Sequence, residues 1–513
     1  MKKLLLATAL TICLLANSMA QQCGANLTWQ FQNQTLTISG SGAMYDYNDN
    51  SPAPWKQYND QIRNIVLPNG LTHIGEEAFA LTAVESLTIP NTVKSIGVYA
   101  MYGCENLTAL QLSSQINIID ESVFENCTAL TTLNLPSNIK ILRGSAFAGC
   151  SNLSTISFSL GLDSIGDYAF YECGKLSSAL LPEGVHTIGA SAFYKCKLMQ
   201  SISLPSTLES VGIDAFKGCS GLQETIFGGD IEEWVAIKFD NYAANSTYYS
   251  HRLKINGENI TTITIPEGVR QIRDFAFTGC QDITQATLPN SLQTIGEDAF
   301  YQCYGLTSIT IPDSVKTLPY GAFWSCSSLK TVNLPSLNKI EDRAFYGCTA
   351  LEQITINTST PPQTYAETFY EVSPSTKVIV HCSASQFRTA NNWQNFQYEE
   401  DFLCQIKAVS EDETKGTVSI SGGTSCEDLQ ASLEAIGAGE YIFDHWSDGN
   451  TDNPRQITLD KDYDLTATFK NATGLVDVNK DTREAVEKFL HDGILYFRTN
   501  QGIFDMMGRQ VDL

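Results

Sequence analysis

The chain has 513 residues, enough for several domains and a large buried core. Its 32 basic residues against 56 acidic ones leave a formal charge of −24. That charge repels polyphosphate and argues against nucleic acid or an anionic membrane surface as a partner.

In chain order the first predicted element is not part of the fold. Lys2 and Lys3 precede an apolar run at 4–16, followed by Asn17-Ser18-Met19-Ala20. Small residues at Ser18 and Ala20 fit a signal-peptidase cut before Gln21, so 1–20 is predicted to be a signal peptide. The apolar run is too short to span a bilayer, and no transmembrane span is expected after cleavage. The protein is therefore expected to be exported, to the cell surface, the outer membrane or the medium, with the periplasm as the alternative. No cysteine follows the cut directly, which disfavours a lipid anchor. Loss of Lys2 and Lys3 takes the charge from −24 to −26.

Residues 21–70 read as a lead-in, and 71–357 as an internal repeat. Cys104, Cys127, Cys150, Cys173, Cys196 and Cys219 are each 23 residues apart; Cys280, Cys303 and Cys326 resume the series, and Cys348 closes it one residue early. Phe124, Phe147, Phe170, Phe193 and Phe216 keep the same step, as do Phe277, Phe300 and Phe323. An Ile-Gly pair recurs ahead of them, at Ile74-Gly75, Ile96-Gly97, Ile165-Gly166, Ile188-Gly189 and Ile295-Gly296. Such self-similarity marks a repeat architecture. Eleven phases fall between Ile74 and Ile340.

One unit reads as strand, turn, short strand, turn and tight helical turn. Leu130-Thr131-Thr132-Leu133-Asn134-Leu135-Pro136 alternates toward its end and stops at a proline, which cannot donate to a ladder and suits a corner. Ile139 and Leu142 then point inward, Gly144 permits a bend, and Ala146-Phe147 with Cys150 closes the coil. A unit this small cannot bury its own apolar positions, whereas stacking units at about 4.8 Å per step buries them continuously. The predicted fold is a mainly β repeat solenoid with coils of about 23 residues, parallel strands and short helical turns.

The outward position of the main strand reads Thr88, Gln111, Asn134, Ser157, Leu180, Ser203, Thr264, Thr287, Thr310, Asn333 and Thr355. This is a nearly neutral ladder suited to a structural sheet face, with no pocket for chemistry. Between Cys219 and Cys280 the repeat is broken by an insertion near 223–260 carrying Trp234, Phe239, Tyr242, Tyr248 and Tyr249. These five are the candidate binding residues, because insertions in solenoids map to one face and amphipathic aromatics give affinity at low entropic cost. The alternative is that they pack the insertion against its own coils. Residues 358–404 lose the period, and Trp393, Phe396 and Phe402 read as a cap over the last coil.

Fourteen of the fifteen cysteines follow residue 20. Equivalent cysteines in stacked coils lie about one coil step apart, beyond the roughly 3.5–4.5 Å Cβ separation of a disulfide. They are read as buried thiols, while a Cys382–Cys404 bridge in the cap is conceivable. The six histidines are scattered, with no C-x-x-C or H-x-x-x-H pair, so no metal is expected. Asp448, Asn450 and Asp452 alternate like a calcium loop but lack its Gly and terminal Glu, and read as a polar turn. No cofactor is implied.

The L-x-x-L-x-L-P…I-G-x-x-A-F-x-x-C unit resembles the BspA-type leucine-rich repeat of bacterial and protist surface proteins. Cys23-Gly24, Leu27-Thr28-Trp29, Leu36-Thr37-Ile38-Ser39-Gly40-Ser41-Gly42-Ala43-Met44 and Pro54-Trp55 resemble that family's lead-in, so the likeness covers about residues 22–404. It implies a non-enzymatic, adhesin-like role toward a host or bacterial extracellular protein or glycan. The alternatives are a periplasmic or envelope scaffold and, remotely, a thiol-dependent hydrolase. From 405 the composition shifts to Gly, Thr and Asp. The run Trp446-Ser447-Asp448-Gly449 and, later, Ala467-Thr468-Phe469 make 405–470 similar to a divergent internalin B-repeat, a small β domain used as a spacer or adhesive unit. In the tail, 471–513, a short charged helix is predicted at 482–490, followed by strands at 494–498 and 503–506. The ending Met507-Gly508-Arg509-Gln510-Val511 is similar to part of a type IX secretion sorting domain but stops short of its further strands.

Overall fold

Each coil closes on itself and hydrogen-bonds to the next along three lines. In the computed structural model, Thr132–Asn134 pairs in parallel with Thr155–Ser157, residue 132 opposite 155. Ile141–Leu142 pairs in parallel with Ser164–Ile165 in the same 23-residue register. At the third side the Phe124 amide donates to the Ala146 carbonyl at 3.0 Å, and Phe147 to Ala169 at 2.9 Å. The result is a β-solenoid of about 14 turns, more than the eleven phases of the sequence because the lead-in and the end coils lack the Phe and Cys markers. The structure describes residues 21–511 apart from 359, 381–383, 401–404, 425–428, 460–461, 473–486, 492–493, 500–501 and 507–508. The predicted signal peptide, and Cys382, Cys404 and Cys426, lie outside the described residues.

Identical coils place identical side chains on top of one another, so the core consists of columns. Phe124, Phe147, Phe170, Phe193 and Phe216 are fully buried, and Phe124 and Phe147 stack with centroids 5.3 Å apart and planes 4° from parallel. The Ile-Gly signal has a steric cause. A Cβ on Gly189 would come within 2.4 Å of the Asp167 nitrogen and 2.5 Å of the Gly166 carbonyl carbon in the coil before it. The second turn also demands left-handed backbone twice per coil, at Ser145 (φ 54) and Gly149 (φ 70), then at Tyr168 (φ 58) and Glu172 (φ 55).

The lead-in starts the stack. Leu27–Gln32 and Thr35–Ala43 form an antiparallel hairpin, and the longer strand then templates both ladders, pairing in parallel with Asn64–Val66 and with Gly70–Ile74. Trp55 is fully buried beside it and donates its indole N–H to the Ala78 carbonyl at 2.7 Å.

The segment 223–260 continues both ladders. Glu224–Phe227 pairs with Ser201–Leu204, Lys238–Phe239 pairs with Ser210–Val211, and the Phe216 amide reaches the Ala243 carbonyl at 3.0 Å. It is a coil of the solenoid, enlarged by the helices Ile231–Ala236 and Thr247–Ser250. Asp230 and Glu233 form a reciprocal capping box at the start of the first helix. Beyond the last repeat Gln353–Ile356 hands on to Lys377–Val380 and then Gln397–Glu400. Phe387, Trp393 and Phe396 close the core there, with the Trp393 ring 4.9 Å from that of Phe369.

The chain divides into two compact units, Met1–Asp401 and Phe402–Leu513. In the second, one sheet holds Ile406–Ser410, Tyr463–Asn471 and Tyr441–Trp446, and another holds Gly416–Gly422, Gln430–Gly437 and Arg455–Thr458. Leu433, Trp446, Ile457, Leu465 and Phe469 form its core. A four-stranded antiparallel sheet follows, Glu487–His491, Ile494–Thr499, Gly502–Phe504 and Gln510–Val511. The helix predicted at 482–490 is thus corrected over its described part: residues 487–490 are strand. Glu487–His491 pairs antiparallel with Ile494–Arg498, and that strand pairing outweighs the helix-like charge pattern.

Candidate binding surface

The cysteine column is the most regular chemical feature of the solenoid. The eleven described cysteines are free and buried. The Cys150 Sγ donates to the Phe124 carbonyl at 3.2 Å, Cys173 to Phe147 at 3.3 Å and Cys219 to Phe193 at 3.1 Å. Burial pushes Cys104 up to about 11 and Cys150, Cys219 and Cys280 up to about 12. A nucleophilic cysteine needs the opposite shift. Among the described residues no group of three or more His, Cys, Asp or Glu is placed to hold a metal ion. Asp448 is held bidentately by Arg455 at 2.8 and 2.7 Å.

The two long faces of the solenoid differ in chemistry. On the strand face Thr88, Asn134, Thr264, Thr310 and Asn333 are exposed, and Asn333 donates to the Thr310 hydroxyl at 3.1 Å. That face is mainly polar, with Leu180 exposed and ion pairs at Glu224–Lys254 and Lys377–Glu399 on its outward positions. The edge formed by the left-handed turns carries rings and carboxylates. Its aromatic position is the residue that follows the core phenylalanine. Tyr171 and Tyr194 stack at 4.9 Å, with the Lys195 ammonium over Tyr194 and paired to Glu172 at 2.7 Å.

A longer band runs from the enlarged coil to the last repeats. Tyr242 lies 4.8 Å from Tyr248, Tyr248 stacks on Tyr301 at 6.2 Å, and Tyr301 meets Trp324 at 4.8 Å. Trp324 continues to Tyr346 at 5.6 Å and Tyr346 to Tyr370 at 4.9 Å. The Arg343 guanidinium sits 4.9 Å from the Trp324 ring and bonds Glu367 at 2.6 Å. Asp274, Glu297 and Glu371 are exposed beside the rings. The ring faces are mostly spent on each other, leaving edges, phenolic hydroxyls and carboxylates to meet a partner.

The five candidates from the sequence separate in space. Trp234 is fully buried, with its indole N–H on the Ala276 carbonyl at 2.9 Å, and Phe239 is 3% exposed. Neither ring has surface to offer a partner. Tyr249 is half-buried against the core. Tyr242, 40% exposed, and Tyr248 join the surface band. Tyr301, Trp324, Tyr346, Tyr370 and Arg343 escaped the sequence reading, although an aromatic directly after the repeat phenylalanine recurs with the repeat and could have revealed them.

The model of the BspA type leucine rich repeat region matches residues 57–159, 119–245 and 255–375 in six copies. The chain belongs to this family. Among solved structures, similar ones include a leucine-rich repeat protein from Bacteroides ovatus ATCC 8483, with 23% identity, 65% of this chain and 93% of that chain covered, and a TM-score of 0.39. A leucine rich cell surface protein from Faecalibacterium prausnitzii A2-165 has 21% identity over 74% and 94%, with a TM-score of 0.34. The pneumococcal vaccine antigen PcpA has 16% identity over 74% and 98%, with a TM-score of 0.41. No curated protein matches the chain. As a BspA-type protein the chain repeats its motif through the part that carries the aromatic band. Among the described residues no helix is long and apolar enough to cross a membrane.

Proposed function

We propose that the protein is an exported, non-enzymatic binding protein, adhesin-like in kind, that holds an extracellular protein along its turn face. The observation that carries this reading is the continuous band of rings and carboxylates from Tyr242 to Tyr370 on the turn face. Rings already packed on each other are held in place before a partner arrives, so little side-chain entropy is lost on binding. Family membership and the cysteine column, held as neutral thiols, support binding over catalysis.

The finer assignments belong to the same proposal. Residues 1–20 are the export signal, 21–70 the lead-in, 71–357 the repeats and 358–404 their cap. The unit at 405–470, with its W-S-D-G and A-T-F motifs, is an internalin B-repeat-like spacer, and 471–513 is a sorting-like tail. Protease shaving of intact producing cells tests the placement. Release of peptides from 223–260 supports a surface binding role. Release only after the outer membrane is opened would overturn it in favour of a periplasmic scaffold.

A further inference from the structure

A cleft of about 370 Å³ opens on the turn face where the lead-in meets the first coils. Its apolar part is made by Ala53, Ala78, Ala80 and Leu81, its wall by Tyr99 and Tyr102, and its rim by Asp49, Glu77, Glu125 and Lys56. Leu81 is 56% exposed and Tyr99 38% exposed, so large apolar surface faces water here without cover. The two tyrosine rings are fixed edge to face at 5.7 Å.

The same junction occurs a second time in the molecule, and there it is filled. Ala78-Phe79-Ala80-Leu81 of the first coil corresponds to Ala276-Phe277-Thr278-Gly279 after the enlarged coil. At the later junction the chain's own segment 245–248 lies over the turn. Asn245 donates to the Ala276 carbonyl at 3.0 Å, Thr247 donates its hydroxyl to the Thr278 carbonyl at 2.8 Å, and Tyr248 crosses directly above Gly279. At the first junction Asn59 makes the matching bond, to the Ala80 carbonyl at 2.8 Å. Leu81 beside it lies against Gly103 of the next coil, with its amide on the Tyr102 carbonyl at 2.7 Å, and its outer surface lines the cleft. At the later junction a polypeptide segment covers the turn, which makes an extended segment a fitting occupant of the cleft.

Charge selects the kind of segment. Three carboxylates, Asp49, Glu77 and Glu125, face one ammonium, Lys56, which itself lies 3.6 Å from Asp49. An apolar floor beneath an anionic rim suits a side chain with a methylene stem and a cationic head, and tyrosine rings add attraction for a guanidinium. We propose that this cleft receives an arginine or lysine side chain from an extended basic segment of the protein partner. This rests on the binding role proposed above and names the chemistry of its partner.

The test uses the full chain and a fluorescein-labelled Gly/Ser nonapeptide carrying two arginines, beside the same peptide with citrulline in their place. Binding at least tenfold tighter for arginine is expected, lost in the double variant Glu77→Gln/Glu125→Gln and retained in Glu411→Gln/Glu413→Gln, which removes equal charge elsewhere. Leu81→Asn, which keeps a side chain tolerant of the left-handed backbone there, is expected to weaken binding severalfold with the melting temperature held. Equal loss in both double variants, or equal binding of the two peptides, would overturn the cleft. Full displacement of the peptide by choline would make it a small-amine pocket and overturn it too. If the full chain and the cleft variants capture an immobilised extracellular protein equally well, the cleft fails while the binding role stands.

Discussion

Asp298 on the turn face is costly where it stands. The residue is 8% exposed, and its Oδ1 has no hydrogen-bond partner. It lies tucked beneath Gly321, whose missing Cβ leaves the room. Burial, then the neighbouring carboxylates of Glu297 and Asp274, push Asp298 up to about 7 against the opposing pull of Arg343. A carboxyl whose folded pKa is raised adds no penalty below its unfolded value near 4. The penalty grows between about pH 4 and 7 and is complete above 7, where it is on the order of 4 kcal/mol. Asp298→Asn keeps the shape and tolerates the positive φ of 50. The variant is expected to melt higher than the parent at pH 8 and to lose that advantage at pH 4, as read by calorimetry at the two values. An advantage independent of pH would mean that charge is not what strains this site.

At the scale of elements, three tryptophans serve where a coil lacks the repeat's own turn. Trp55, Trp234 and Trp393 are fully buried, and each donates its indole N–H to a backbone carbonyl, of Ala78, Ala276 and Pro362 respectively. Removing such a ring from a packed core costs about 3–5 kcal/mol, while Asn245 still donates to the Ala276 carbonyl. Trp234→Ala is expected to lower the melting temperature sharply, whereas Tyr242→Ala, at the exposed end of the band, leaves it nearly unchanged and weakens partner capture. A Trp234→Ala protein of unchanged melting temperature would contradict the packing seen here. The contrast shows what was legible in the sequence. The period, the two ladders and the phenylalanine and cysteine columns follow from residues 23 apart meeting the same environment. The segment 223–260 was read as an insertion because its coil is joined to its neighbours by backbone bonds, which any side chain permits, and the spacing that signals a coil is lost in its two helices. The stretch 487–490 was misread because its charges suit a helix while its partner strand lies beyond a turn. The turn-face band was present as a recurring aromatic, but position along the sequence does not say that successive rings touch.

At the largest scale, the solenoid is a one-dimensional array in which each coil is stabilised by its two neighbours. The cysteine column turns this into a measurable gradient. Ten of the described thiols run from Cys104 to Cys348, all buried and unpaired, and at least nine donate to a carbonyl of an earlier coil. Stacking holds their neighbours at about a coil step, wider than a disulfide accepts, so even in an oxidising compartment they remain thiols unless the coils distort. An alkylating reagent reaches them only when coils open, and opening is easiest where one neighbour is weak. Under native conditions labelling is expected to be slow throughout and slowest for Cys150, Cys173 and Cys196, which lie deep within an unbroken run of repeats. It is expected to be faster at Cys280, which follows the enlarged coil, because that column restarts there. In denaturant without reductant all ten are expected to label, as counted by peptide mass spectrometry. Thiols that stay blocked until a reductant is added would show that alternate coils do pair, and would replace the column of small buried hydrophobes by a row of cross-links.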